Sequence, residues 1–418
     1  MDDFKTSVEI SRKWKSSRVA SEIIQKFKNK NLNPKVILLF TTIHYEKELK
    51  NILSSIKSEF PKSPLLGGTV SGFITNEGCF TRGVTALAID YPNMEVSVAI
   101  GHNIKRNPKK AIDNCKENLQ IEKKYDNNFL LEFLPTAVIP NIPTVGQKVI
   151  ISSEKVGNNA VKLLPRMSYL NMGYDRADEI IEQLSQEYKN HGIIGGCTMD
   201  DNKMLRSYQF FNENFFKNSL CILEISSDIK YNIKGTTAFE VLDKGFEITN
   251  ISKDKHTIKE INNKKAKTTF LDFFNWKETD LSDLYHFYRR IFYYPFGFQK
   301  NNKWHTCMMG GLWGENIILS VKAEDNNMKF LSLSTGKLLN NTKNLLENLN
   351  KENIHVCFSI ACETFIETLG DKIYSYKDLF SNYFTDIPYL IVFMAGESIY
   401  TIDEGHHHLY ESINLLTM

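Results

Sequence analysis

Cys362 stands in the run Ser359-Ile360-Ala361-Cys362-Glu363-Thr364, where a thiol could act as a nucleophile. That role needs a thiol pKa lowered by a neighbouring histidine or a helix N-terminus. His355 lies seven residues earlier, so along one regular strand the two side chains point to opposite faces. A buried or ligand-lining thiol is the simpler expectation. Two acids follow glycines at the ends of apolar runs: Asp200 after Gly195-Gly196-Cys197, and Glu397 after Gly396. If they converge, they can hold an ammonium group or work as acid and base. If they do not, each caps loop amides. Arg289 sits among aromatic residues and can neutralise a ligand carboxylate bidentately. Yet Leu284, Phe287, Tyr288 and Ile291 follow helical spacing, which favours a core face with the arginine at its rim. In His406-His407-His408, strand geometry lets only His406 and His408 share a face. No cysteine or second histidine pair lies nearby in sequence, so no metal and no cofactor is assigned.

These residues depend on a pattern that occurs three times: an apolar run that breaks into small residues and then a polar cluster. It reads Pro64-Leu65-Leu66-Gly67-Gly68-Thr69-Val70-Ser71-Gly72, then Gly192-Ile193-Ile194-Gly195-Gly196-Cys197-Thr198-Met199-Asp200, then Leu390-Ile391-Val392-Phe393-Met394-Ala395-Gly396-Glu397-Ser398. Glycines at strand ends let backbone approach a ligand or another chain segment closely. An apolar strand and an amphipathic helix precede each run, and turn residues such as Asn76-Glu77-Gly78 and Asn212-Glu213-Asn214 follow the first two. The pattern predicts an α/β protein of mixed sheets built from repeated strand-helix-strand-hairpin units in two halves. The expected division is an extension over 1–17, a domain over 18–228 and a second over 229–418. Residues 135–171, rich in Pro and Gly, are expected to form a helix-free insertion that serves as a lid or a partner surface.

Composition narrows the function. A formal net charge of +2 gives no pull toward nucleic acid or an anionic membrane. Seven scattered cysteines without a Cys-x-x-Cys pair suggest reduced thiols and a cytoplasmic location. The first residues lack the apolar stretch of a signal peptide, and no apolar run is long enough to cross a bilayer. Neither a Walker nor a dinucleotide fingerprint is present.

The ordered motifs resemble the FIST (F-box and intracellular signal transduction) family. Gly67-Gly68-Thr69-Val70-Ser71-Gly72-Phe73-Ile74 is similar to its first glycine strand, and Gly195-Gly196-Cys197-Thr198-Met199-Asp200 to its second. Tyr294-Pro295-Phe296-Gly297, Phe358-Ser359-Ile360-Ala361-Cys362 and Gly396-Glu397 are similar to later signatures. The family's polar Thr and Glu in the first strand are Val70 and Phe73 here, and its arginine after the cysteine is Phe365. The resemblance implies a sensory protein with N-terminal and C-terminal FIST portions that binds an amino acid or similar metabolite. It implies no catalysis, and signalling passes through a separate protein. The ligand is then expected near Gly195, Gly196, Cys197, Asp200, Cys362, Gly396 and Glu397, with Arg289. Two alternatives remain: an enzyme using Cys362 or an Asp200/Glu397 pair, and an interaction scaffold docking through 135–171.

Overall fold

The computed structural model describes residues 4–122, 124–281, 284–300, 303–350 and 353–418, and of Leu284 and Tyr285 the backbone alone. Apolar runs become strands, and the intervening periodic stretches become helices. Val36–Thr42 pairs in parallel with Leu65–Val70 across the helix Leu49–Glu59, which buries Leu49, Ile52, Leu53 and Ile56. A hairpin follows, Gly72–Thr75 with Gly78–Phe80, and Val84–Asp90 returns antiparallel to Val36–Thr42. The same path is traced by Asn127–Pro135, the helix Ala177–Glu187, Gly192–Thr198, the hairpin Gln209–Phe211 with Asn214–Phe216, and Ser219–Ser227. It is traced again by Cys357–Cys362, the helix Ile373–Tyr383, Tyr389–Met394, the hairpin Glu397–Thr401 with Gly405–Leu409, and Ser412–Thr417.

Each hairpin leaves the sheet that produced it. Gly72–Thr75 pairs with Tyr389–Met394, Gln209–Phe211 with Leu65–Val70, and Glu397–Thr401 with Gly192–Thr198. The opposite edges are closed by Lys5–Ser11 on Val84–Asp90, Met94–His102 on Ser219–Ser227, and Asn232–Thr237 on Ser412–Thr417. Three six-stranded sheets therefore share one strand order, and each borrows a hairpin from another. Their inner faces meet in a common core, where Phe40 lies edge-on to Phe133 (5.4 Å between centroids) and stacked on Phe358 (5.7 Å). Helices cover the outer faces.

Two insertions rise from this frame. Residues 238–333 build most of a nine-stranded sheet with the helices Ala266–Phe274 and Leu284–Tyr293. Residues 136–176 join it, as Ile150–Ile151 pairs in parallel with Met309–Trp313. The expectation of a helix-free 135–171 is corrected: Glu154–Met167 is an α-helix, with the Ser153 hydroxyl accepting from the Val156 amide. Its buried face is Gly157, Ala160, Leu164 and Met167. Small residues at the first two positions hide the apolar periodicity, and they let the helix lie almost backbone to backbone on Trp313–Gly314, since a Cβ on Gly157 would stand 2.1 Å from the Gly314 nitrogen. Residues 5–11, expected as an extension, are an edge strand; residues 1–3 lie outside the described residues. Asp228 falls just after Ser219–Ser227, and sheets are shared across that point.

Candidate functional site

Gly192–Thr198 lies between the parallel strand Asn127–Pro135 and the borrowed strand Glu397–Thr401. Period-two alternation turns Ile193 and Cys197 toward the outer helices and Ile194 toward the shared core. On the helix side Cys197 meets Asp175, just ahead of the helix Ala177–Glu187, and His408 from the borrowed hairpin. Their donor atoms all lie within 4.8 Å of one another, and all three residues are buried. Asp175 accepts from the Ala177 amide (3.1 Å) and the Tyr410 hydroxyl (2.8 Å). His408 Nδ1 is 3.0 Å from Ser398 Oγ, and its Nε2 has no partner. Gly396 makes room for this ring: its φ is +86°, and a Cβ would stand 2.6 Å from Nε2.

Lys105 lies buried beside the cluster. Its Nζ donates to the carbonyls of Thr136 (2.8 Å), Tyr174 (2.8 Å) and Gly173 (3.4 Å). Burial pushes its ammonium down to about 8, against the opposing pull of Asp175 and Cys197. Close by is a second buried set: Glu132, Glu397, Glu411 and Cys362. Glu397 Oε2 accepts from Ser412 Oγ at 2.8 Å. Burial pushes Glu132 up to about 7 and lifts Glu397 and Glu411 well above the usual carboxylate range. It also raises the Cys197 and Cys362 thiols well above theirs, the opposite of what a nucleophile at neutral pH needs.

A cleft of about 680 Å³ opens above Lys105, between residues 164–179 and residues 253–256 and 322–324 of the second insertion. Its wall holds Tyr174 stacked on His256, with centroids 3.7 Å apart and planes 15° from parallel. Burial lowers the His256 pKa, so the ring is neutral at pH 7. Arg176 and Lys322 both pair with Glu179 at 2.5 Å, whereas Lys253 and Lys255 carry no ion pair among the described residues.

The residues expected at a ligand site are divided by this geometry. Cys197 and Gly396 meet at His408, and Cys362 and Glu397 lie together. Gly195 and Gly196 face this chain's own atoms: a Cβ on Gly195 would be 2.0 Å from Glu132 Cγ, and one on Gly196 would be 2.9 Å from Ile360 and Met394. Asp200 turns away from Glu397 into its own loop, accepting from the amides of Lys203, Met204, Leu205 and Arg206. Arg289 is half exposed and pairs with Glu367 at 3.1 Å, while Phe287, Tyr288 and Ile291 fill the core, as the helical spacing implied; the Leu284 side chain lies outside the described residues. Sequence reading missed Lys105, Glu132, Asp175, Tyr410 and Glu411, none of which falls in a motif. His408 was singled out in the sequence only as able to share a strand face with His406.

Because Asp200 is spent on four amides, Asp200→Asn is expected to lower stability by about 1–2 kcal/mol in chemical denaturation and to leave ligand-induced stabilisation unchanged. A lost ligand response at unchanged stability would return Asp200 to the ligand site.

Interleaved mixed sheets under helices, with a buried polar cluster beneath an open cleft, define an α/β protein of mixed sheets. A family model for the FIST N domain matches residues 35–264, more than half of the chain. The chain belongs to the FIST family, whose domain is a sensory module. No curated protein sequence matches it. Among solved structures it is similar to a cyanuric acid hydrolase from A. caulinodans, at 7% identity and a TM-score of 0.26, over 56% of this chain and 72% of that one. A likeness so slight bears on neither fold nor activity.

Proposed function

We propose that this protein is a sensor that binds a small carboxylate-bearing metabolite, an amino acid or organic acid, in the cleft above Lys105. The cleft itself is the observation that carries this reading. Its volume of about 680 Å³ suits a metabolite, and cationic side chains outnumber acidic ones along its lining. Lys253 and Lys255 are available to a carboxylate, and the Tyr174–His256 stack offers a flat apolar wall. The free thiols of all seven cysteines support a reducing, cytoplasmic setting. No helix among the described residues is long and apolar enough to cross a membrane. Output passes to a separate signalling protein. An enzyme built on Cys362 has less support, because its thiol is buried and raised. A scaffold docking through 135–171 has less as well, because Ile150–Ile151 ties that segment into the large sheet.

A thermal-shift panel of amino acids, organic acids and nucleotides tests the reading. A true ligand should stabilise by about 2.7 kcal/mol at a hundredfold excess over its Kd. The double variant Lys253→Glu/Lys255→Glu should lose most of that response. A panel without a stabilising member, or a response unchanged in the double variant, overturns it.

A further inference from the structure

We propose that Asp175, Cys197 and His408 form a binding site for one borderline divalent cation of the Zn²⁺ type. The three side chains come from three separate segments, and each has a donor position not taken by another group. Cys197 Sγ makes no hydrogen bond among the described residues, and His408 Nε2 is buried without a partner. Two of the carboxylate's lone-pair positions on Asp175 are taken by Ala177 and Tyr410, which leaves the others open. One sulfur, one nitrogen and one oxygen suit Zn²⁺ better than the all-oxygen cations Mg²⁺ and Ca²⁺.

The surroundings are those a metal site needs. His408 can ligate through Nε2 when Nδ1 carries the proton, and Ser398 Oγ, 3.0 Å away, accepts from that Nδ1–H. The Tyr410 hydroxyl fixes the Asp175 carboxylate in the same way. Lys105 is directed at three backbone carbonyls and so does not occupy Asp175. Gly396 places no side chain against Nε2, where a Cβ would stand 2.6 Å away. Donors in a tetrahedral Zn²⁺ site are about 3.3–3.8 Å apart, given Zn–ligand bonds of about 2.0–2.3 Å. The observed limit of 4.8 Å therefore closes by side-chain rotations of about 1 Å. Binding expels the Cys197 thiol proton to solvent, and carboxylate plus thiolate then neutralise the ion's charge. Three protein ligands leave a fourth position for water or a small ligand, which extends the site beyond the cleft reading without depending on it.

Cobalt substitution of the full-length protein tests this. One Co²⁺ per chain is expected, with a thiolate-to-metal charge-transfer band in the near ultraviolet and the strong visible absorption of tetrahedral geometry; Zn²⁺ should displace it. Cys197→Ser should abolish the charge-transfer band, and Cys221→Ser, a buried thiol outside the cluster, should keep it. If Cys197→Ser fails to fold, Ser398→Ala supplies the readout, with an expected loss of Co²⁺ affinity of about tenfold or more. No bound Co²⁺, a charge-transfer band that survives Cys197→Ser, or an unchanged affinity in folded Ser398→Ala overturns the site.

Discussion

Gly67→Ala is expected to lower folding stability by about 2–6 kcal/mol, while the same substitution at Gly336 leaves stability unchanged or raises it by about 0.5–1 kcal/mol. Gly67 faces Leu39 in the parallel pairing of Val36–Thr42 with Leu65–Val70, at a φ of +140° that side-chain-bearing residues avoid. An added Cβ would stand 1.9 Å from the Leu39 carbonyl oxygen and 2.8 Å from its carbon. Backbone cannot rotate aside as a side chain would. Strain at such a φ and overpacking each cost about 1–3 kcal/mol, so together about 2–6 kcal/mol, a large share of the about 5–15 kcal/mol that holds a typical domain. The borrowed strand Gln209–Phe211 pairs on the other side of Gly67, so the misfit reaches a second unit. Gly336, in the helix Thr335–Glu347, has no atom within 4 Å of its added Cβ. Soluble yield and urea denaturation of the two variants check this; a Gly67→Ala protein within about 1 kcal/mol of the parent would show that the strand slides to relieve the contact.

Stability is also expected to fall as pH rises from about 5 to about 8, and Glu363→Gln should flatten part of that slope. Burial, with the nearby charges of Glu367 and Asp200, pushes the Glu363 carboxyl up to about 8 from its ordinary 4.5. Glu132 follows, up to about 7 through burial. A raised folded-state pKa stabilises fully below the unfolded value and ceases to do so as pH climbs through the folded one. In this window the unfolded chain has released protons that the folded chain still holds, so each step in pH favours unfolding. The histidines that burial keeps neutral, such as His256, act oppositely below about pH 6.5. The difference between parent and variant is therefore the quantity to measure. It should be near zero at pH 4.5 and reach a few kcal/mol in favour of Glu363→Gln near pH 8. Denaturation curves that stay parallel across the range would mean that Glu363 ionises normally in the fold.

Much of the local structure was legible. The helix Leu49–Glu59 announced itself through Leu49, Ile52, Leu53 and Ile56, and the hairpin turns through their Asn and Gly residues. The helix Glu154–Met167 did not, because Gly157 and Ala160 form its buried face and hydrophobic periodicity registers only larger side chains. The candidate site was half legible. Cys197, Gly396, Cys362 and Glu397 stand in motifs that drew attention, and all four belong to the buried polar region. Lys105 and Asp175 carry no local signature, since a lone lysine or aspartate in a sequence reads as surface.

What the residues determined by themselves is whatever depends on spacing within a dozen positions: which runs are strands, which are helices, and where the chain must turn. Which sheet each hairpin joins was decided by the tertiary structure alone. A strand edge presents the same amides and carbonyls to any partner, and the choice among edges is made by side chains packing across sheets. That choice carries His408 from the last hairpin to Cys197 and Asp175, and so creates a cluster that no single segment contains.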